Sequence, residues 1–243
     1  MRIVTAVVLL PVMLAACGFA EGKHDGHAVA SSGSGASRSF AATNFTGVDL
    51  RGPDDVQVRV GPAFSVRAEG PSDQLDKLDI RVDGSTLRVG RQGNSFNWGS
   101  RDGKGVKVFV TLPRLTLATV TGSGDLDADR GEGDFSGAIA GSGNLRIGEL
   151  RATNANLSIA GSGDLGTAGT ADKLSLSIAG SGDIDAAGLS AKSADVSIAG
   201  SGSAKAAVHG AASVSIVGSG DVDLGGGAQC SVSKVGSGDA HCS

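Results

Sequence analysis

The sequence predicts an all-β protein, a parallel β-helix or solenoid preceded by an N-terminal β section. Three observations carry that reading. Gly-Ser-Gly begins at Gly122, Gly141, Gly161, Gly180, Gly200, Gly218 and Gly236, in steps of 19, 20, 19, 20, 18 and 18 residues. A near-constant period of this kind marks a solenoid in which each repeat is one structural unit. Within a repeat, side chains alternate: Leu157, Ile159 and Leu165 share one parity with Gly161 and Gly163, while Ser158, Ala160, Ser162 and Asp164 share the other. Period two is the signature of a strand with one apolar and one polar face. Glycine is 40 of 243 residues, a density that would cost a helix about 1 kcal/mol per site.

The first residues read as an export signal. Arg2 is the positive start, and Ile3 to Ala16 is an apolar run too short to span a bilayer comfortably. It ends in Leu14-Ala15-Ala16-Cys17, which resembles a bacterial lipobox. Cleavage before Cys17 would leave that cysteine to carry the lipid, and Gly18 in place of Asp points to the outer membrane. An ordinary cleaved signal with an incidental cysteine is the alternative. Residues 1–16 are therefore expected as a lipoprotein signal, and residues 17–43 as the lipidated cysteine and a flexible Gly/Ser-rich tether. His24-Asp25-Gly26-His27 lies within that tether, where nothing fixes a metal-binding geometry, so no metal site is assigned.

Residues 44–121 lack the Gly-Ser-Gly mark but keep the alternation, in Val56 to Val60, Ile80 to Val82, Leu87 to Val89 and Val106 to Val110. Asp83-Gly84 between two such runs predicts a tight turn. Pro71 to Leu78 predicts a helical turn or two. Arg91 to Gly105 has no periodicity and holds the only Trp. Its Arg91, Phe96, Trp98, Arg101 and Lys104 form an aromatic-basic cluster, the candidate contact surface for a glycan or protein ligand. A hairpin excursion whose aromatics pack down on the sheet is the alternative, and long loops are more often unspecialised than binding.

Residues 122–243 hold the repeats, with coils expected about 4.8 Å apart and a rod section of roughly 34 Å. Ile139, Ile159, Ile178, Ile198 and Ile216 would form one internal ladder, and Leu126, Leu145, Leu165, Ile184 and Val222 another, with Ala204 in the gap of the second. Each coil has room for two or three short strands and their corners. These repeats, together with Phe45-x-x-Val48-x-Leu50 and Val108-x-Val110-Thr111-Leu112-Pro113, resemble the auto-transporter adhesin head GIN domain family of bacterial envelope proteins. The resemblance runs from about Asn44 to Asp239, and it implies a right-handed β-helix and a surface or adhesive role. Cys230 and Cys242 flank the last repeat and, with Cys17 lipidated, are the remaining pair. In an exported chain they are expected as a disulfide contributing roughly 3 kcal/mol to the terminal coil.

The residue after each Gly-Ser-Gly is Asp125, Asn144, Asp164, Asp183, Ser203, Asp221 and Asp239, an outward column if the coils align. It could bind calcium, or each Asp could cap its own corner; the once-per-coil spacing and the neutral interruptions favour the corner. Net charge is −4, and from Gly122 onward 7 basic residues face 14 acidic ones, which excludes nucleic acid as a partner. No triad or Cys-His arrangement has a workable spacing, and no cofactor is implied. The function expected is a lipid-anchored envelope module, structural or adhesive, without catalysis. A periplasmic envelope-stress or scaffold protein binding through its N-terminal section is the second reading, and a glycan-active enzyme the third.

Overall fold

Apolar residues at every second position, punctuated by glycine, fold as one sheet, 19-stranded among the described residues, wound into a solenoid. The computed structural model describes residues 26–33, 36–92 and 105–243. The chain enters through β1 (His27–Ala28), β2 (Ser31–Ser32) and β3 (Ser37–Phe40), then β4 (Gly47–Gly52), β5 (Asp55–Val60) and β6 (Ser65–Glu69). One helical turn, α1 (Ser72–Leu75), precedes β7 (Leu78–Asp83), β8 (Thr86–Arg91) and β9 (Lys107–Leu112). The repeats follow as β10 (Leu117–Gly122), β11 (Leu126–Gly141), β12 (Leu145–Gly161), β13 (Leu165–Gly180), β14 (Ile184–Gly200), β15 (Ala204–Val208) and β16 (Ala211–Gly218). The chain closes with β17 (Val222–Gly225), β18 (Gln229–Gly236) and β19 (Ala240–Cys242).

Each coil pairs in parallel with the next, and like residues stack on like. Ile139, Ile159, Ile178, Ile198 and Ile216 are successive register partners, all buried. Below them the ladder continues through Val120 and Leu50 into the N-terminal section. The second ladder runs from Val56 through Leu126, Leu145, Leu165, Ile184, Ala204 and Val222 to Ala240. The middle coils differ from the expectation of separate short strands. β11 to β14 are continuous over 16 or 17 residues, because the ladder bonding carries on around the bends. Register shifts at Gly133/Asp134, Ile147/Leu150, Gly166/Ala168 and Ala186/Ser190 absorb the unequal repeat lengths.

The N-terminal section is built into the same stack. β4 and β5 lie parallel to β10 and β11 and form a first coil. Its corner is Gly52-Pro53-Asp54-Asp55, a degenerate Gly-Ser-Gly-Asp in which Gly52 keeps the positive φ of +122° and stacks on Gly122. Under it, β8 and β9 pair in parallel with β4 and β5. Then the direction reverses: β7 and β6 add antiparallel, and β1 and β3 pair antiparallel with these. The turn between β7 and β8 falls at Gly84-Ser85, with Gly84 at φ +57°. The expected tether needs correcting at its C-terminal part. His27–Ala28, Ser31–Ser32 and Ser37–Phe40 are strands added at that edge, and Phe40 is buried there. Composition alone marked this stretch as a linker; the free edges of β6 and β7 are what order it.

At the other end, β18 and β19 pair only with β16 and β17. Cys230 and Cys242 form a disulfide with Cα atoms 6.5 Å apart.

Candidate functional site

The corners explain why the motif repeats. Gly161 has φ +139°, and a Cβ there would sit 2.1 Å from the carbonyl oxygen of Gly141 in the coil below. At Gly163 a Cβ would sit 1.9 Å from the oxygen of Gly143. Each first-glycine carbonyl accepts from the serine N–H of the next coil and, at most corners, from the second-glycine N–H as well: Gly141 O takes the N–H of Ser162 at 2.9 Å and of Gly163 at 3.2 Å. The N–H of the residue after the second glycine is left outside this ladder, and at every corner but that of Asp221 a side chain of the neighbouring coil supplies its acceptor. The N–H of Asn144 donates to Asp125 Oδ1, that of Asp183 to Asp164 Oδ1 and that of Ser203 to Asp183 Oδ1, at 3.0, 3.2 and 2.7 Å. Asn144 Oδ1 does the same for Asp164, and Asp221 for Asp239. The column therefore staples coil to coil, instead of each Asp capping its own corner as expected, and so satisfies a donor whose loss would be costly. No cluster of three metal-ligating side chains occurs among the described residues.

Beyond the corner the polar side chains of the next short segment line a groove of about 800 Å³. Its walls are Asp125, Asp127, Asn144, Arg146, Asp164, Asp183 and Asp185, and Gly166 and Gly188 contribute to its lining. Asp127 and Arg146 are register partners, as are Arg146 and Gly166, and Gly166 and Asp185. The same column extends back through Gln57 to Phe109 and Arg67. Phe109 is half-buried, with the Arg67 guanidinium 5.2 Å and the Lys107 ammonium 5.9 Å from its ring centroid. These distances suit cation–π attraction. One continuous outer face thus offers an aromatic-basic end and an acidic groove. Sequence reasoning missed it because Arg67, Phe109, Gln57 and Arg146 lie on four strands that only the coil register brings together.

Of the residues singled out from sequence, Cys17, Phe96, Trp98, Arg101 and Lys104 lie outside the described residues. Arg91 is placed, and it turns inward. Its Nε donates to Asp54 Oδ2 at 2.8 Å, Nη2 to Asp54 Oδ1, and Nη1 to Gln74 Oε1 at 2.7 Å. Asp54 is 1% exposed and also accepts from the N–H of Val106. It occupies the second-glycine slot of the first corner, where the layer beneath leaves room for a side chain. Arg91 fills that room and seals the corner column. The hydrogen bond to Asp54 raises the Arg91 pKa above the usual guanidinium value, against the opposing effect of burial. Arg91 is thus placed as an ion-pair partner of the buried Asp54.

A family model described as "Putative auto-transporter adhesin, head GIN domain" matches residues 44–228. The chain belongs to this family. The match spans β4 to β17; β1 to β3 and the disulfide-closed coil lie outside it. Solved structures share the fold. A "putative adhesin" from Bacteroides fragilis NCTC 9343 superposes with TM-score 0.75 at 21% identity, over 85% of this chain and 96% of that one. A "putative lipid binding protein" from Parabacteroides distasonis ATCC 8503 gives 0.66 at 23%, over 85% and 96%. A "putative adhesin" from Parabacteroides merdae ATCC 43184 gives 0.66 at 19%, over 85% and 95%. No curated protein matches the chain.

Proposed function

We propose that this protein is a lipid-anchored module of the bacterial cell envelope, held at the outer membrane through Cys17, that binds an envelope glycan or protein without catalysing a reaction. The observation that carries the binding role is the continuous outer face from Phe109 to Asp185. It places one aromatic ring, two cations on that ring and a groove of carboxylates around the single guanidinium of Arg146 within a few coils. Family membership supports an adhesive or structural role and a location outside the cytoplasm. The chemistry of the groove suits hydroxyl-rich or charged partners. Acyl chains would have to desolvate its carboxylates, so the lipid-binding name of one structural neighbour does not fit this groove.

Anchor and binding are tested separately. Fatty-acid labelling of growing cells should mark the wild type and not Cys17→Ser, which should leave the membrane fraction. Three acyl chains at about 0.8 kcal/mol per buried CH₂ hold far beyond the marginal binding of one. Equal labelling of both would reject the lipoprotein reading. For binding, retention on polysaccharide isolated from the producing cells should fall at least about tenfold in Arg146→Ala/Asp185→Ala, a loss of about 1.4 kcal/mol. Unchanged retention would remove the groove from the proposal.

A further inference from the structure

The outer groove owes its depth to one short coil. The repeat from Gly161 to Gly180 is 19 residues, between neighbours of 20 on either side. Its missing residue falls on the groove face. Gly148 and Glu149 of β12 stand against Ala168 alone, and Ala186 and Ala187 of β14 against Thr167 alone. β13 therefore lies in a dent between two bulged strands. Gly166 is the floor of that dent, where a Cβ would meet nothing within 4 Å. Its register partners form the walls, Arg146 on one side and Asp185 on the other, two coils or about 10 Å apart.

The two walls offer different chemistry. Most described arginines hold a carboxylate, as Arg81 holds Asp79 and Arg151 holds Glu149, each at 2.7 Å. Arg146 is exposed, and among the described residues it has neither an ion pair nor a hydrogen bond, although the register sets Asp127 beside it. Its guanidinium fork is free for a planar anion. The carboxylates are acceptors of fixed direction. One oxygen of Asp125, Asp164, Asp183 and Asp185 is held by a backbone N–H, which leaves the other for a donor on a ligand. With Asp127 these make five carboxylates against one guanidinium. Such a groove is rich in acceptors and takes a single negative charge, since a second would meet like charges.

We propose, resting on the glycan reading of this groove, that the dent seats one acidic sugar of an otherwise uncharged chain, its carboxylate on Arg146 and its hydroxyls on Asp185 and the corner carboxylates. A ring can approach the bare backbone at Gly166, and sugar hydroxyls are the donors that carboxylates require. Consecutive acidic units are rejected by the same carboxylates that hold the hydroxyls. Arg146 is thus the residue that sets specificity.

The test places the full-length protein on polysaccharide isolated from the producing cells, either native or with its carboxylates chemically reduced to alcohols. Reduction removes the anion and leaves the ring, the linkage and any phosphate in place. Wild-type retention should fall at least about tenfold on the reduced form, the weight of one charge-assisted contact. Arg146→Gln should hold both forms alike, at the wild-type level for the reduced one. Gly166→Leu, whose side chain enters open space, should lose both forms while unfolding in urea like the wild type. Equal retention of wild type on both forms overturns the acidic sugar and leaves the glycan reading standing. An Arg146→Gln protein that still prefers the native form overturns the role of Arg146, and a Gly166→Leu protein that binds normally overturns the seat. Retention of wild type on neither form removes the glycan reading, and the acidic sugar with it.

Discussion

Replacing Gly163 by alanine isolates the stacking of corners from every other role of glycine. Its backbone lies outside the positive-φ region, so an alanine there meets no conformational penalty of its own. The added Cβ would lie 1.9 Å from Gly143 O and 3.1 Å from Ile139 Cγ2. Both are held by the coil beneath, so the two coils must part by about 1 Å to reach even a tight contact of about 3.0 Å. Such a shift stretches the bonds from Ser162 and Gly163 to Gly141 O past useful length, each worth about 0.5–1.5 kcal/mol net. Over-packing adds about 1–3 kcal/mol. The sum is about 2–6 kcal/mol of lost stability. Gly166→Ala, three residues on, is the control: its Cβ meets nothing within 4 Å, and it should be neutral or stabilising by up to about 1 kcal/mol. Urea unfolding followed by circular dichroism measures both. If the two variants unfold within about 0.5 kcal/mol of each other, backbone contact between corners is not why the motif keeps its second glycine.

The same assay checks the remaining assignments. Ile178→Ala, mid-ladder between Ile159 and Ile198, should cost about 2–5 kcal/mol, while Ser177→Asp on the outer face should stay within about 0.5. Equal damage from both would mean the faces are reversed. Arg91→Ala strands the buried Asp54 carboxylate and should cost about 3–5 kcal/mol, with Asp54→Ala/Arg91→Ala recovering part of it. A mild Arg91→Ala would place that pair in solvent. Cys230→Ser/Cys242→Ser should lose about 3 kcal/mol, and hydrogen exchange should rise first in residues 229–242. Uniform protection there would show that the bridge does not hold the last coil.

By itself the sequence determined the solenoid, its faces and its two internal ladders. These follow from local facts repeated at a fixed period. Alternation sets which side chain points inward, and a step of 18 to 20 residues sets which one stacks on which. The Cys230–Cys242 pair was equally legible, since few pairings were open to the chain. Other features were decided by contacts between distant strands. Gly52-Pro53-Asp54-Asp55 does not read as a repeat, because the first corner rests on β8 and β9 instead of another corner and therefore has room for Asp54. Arg91 reads as a binding residue until that room is seen to need a cation. His27–Ala28 and Ser37–Phe40 read as tether because their composition is that of a linker, yet the free edges of β7 and β6 recruit them as strands. The outer groove, too, is invisible in any single repeat. It exists because parallel register sets Gln57, Asp127 and Arg146 side by side from coils 70 and 19 residues apart, a distance that only the winding of the chain can remove.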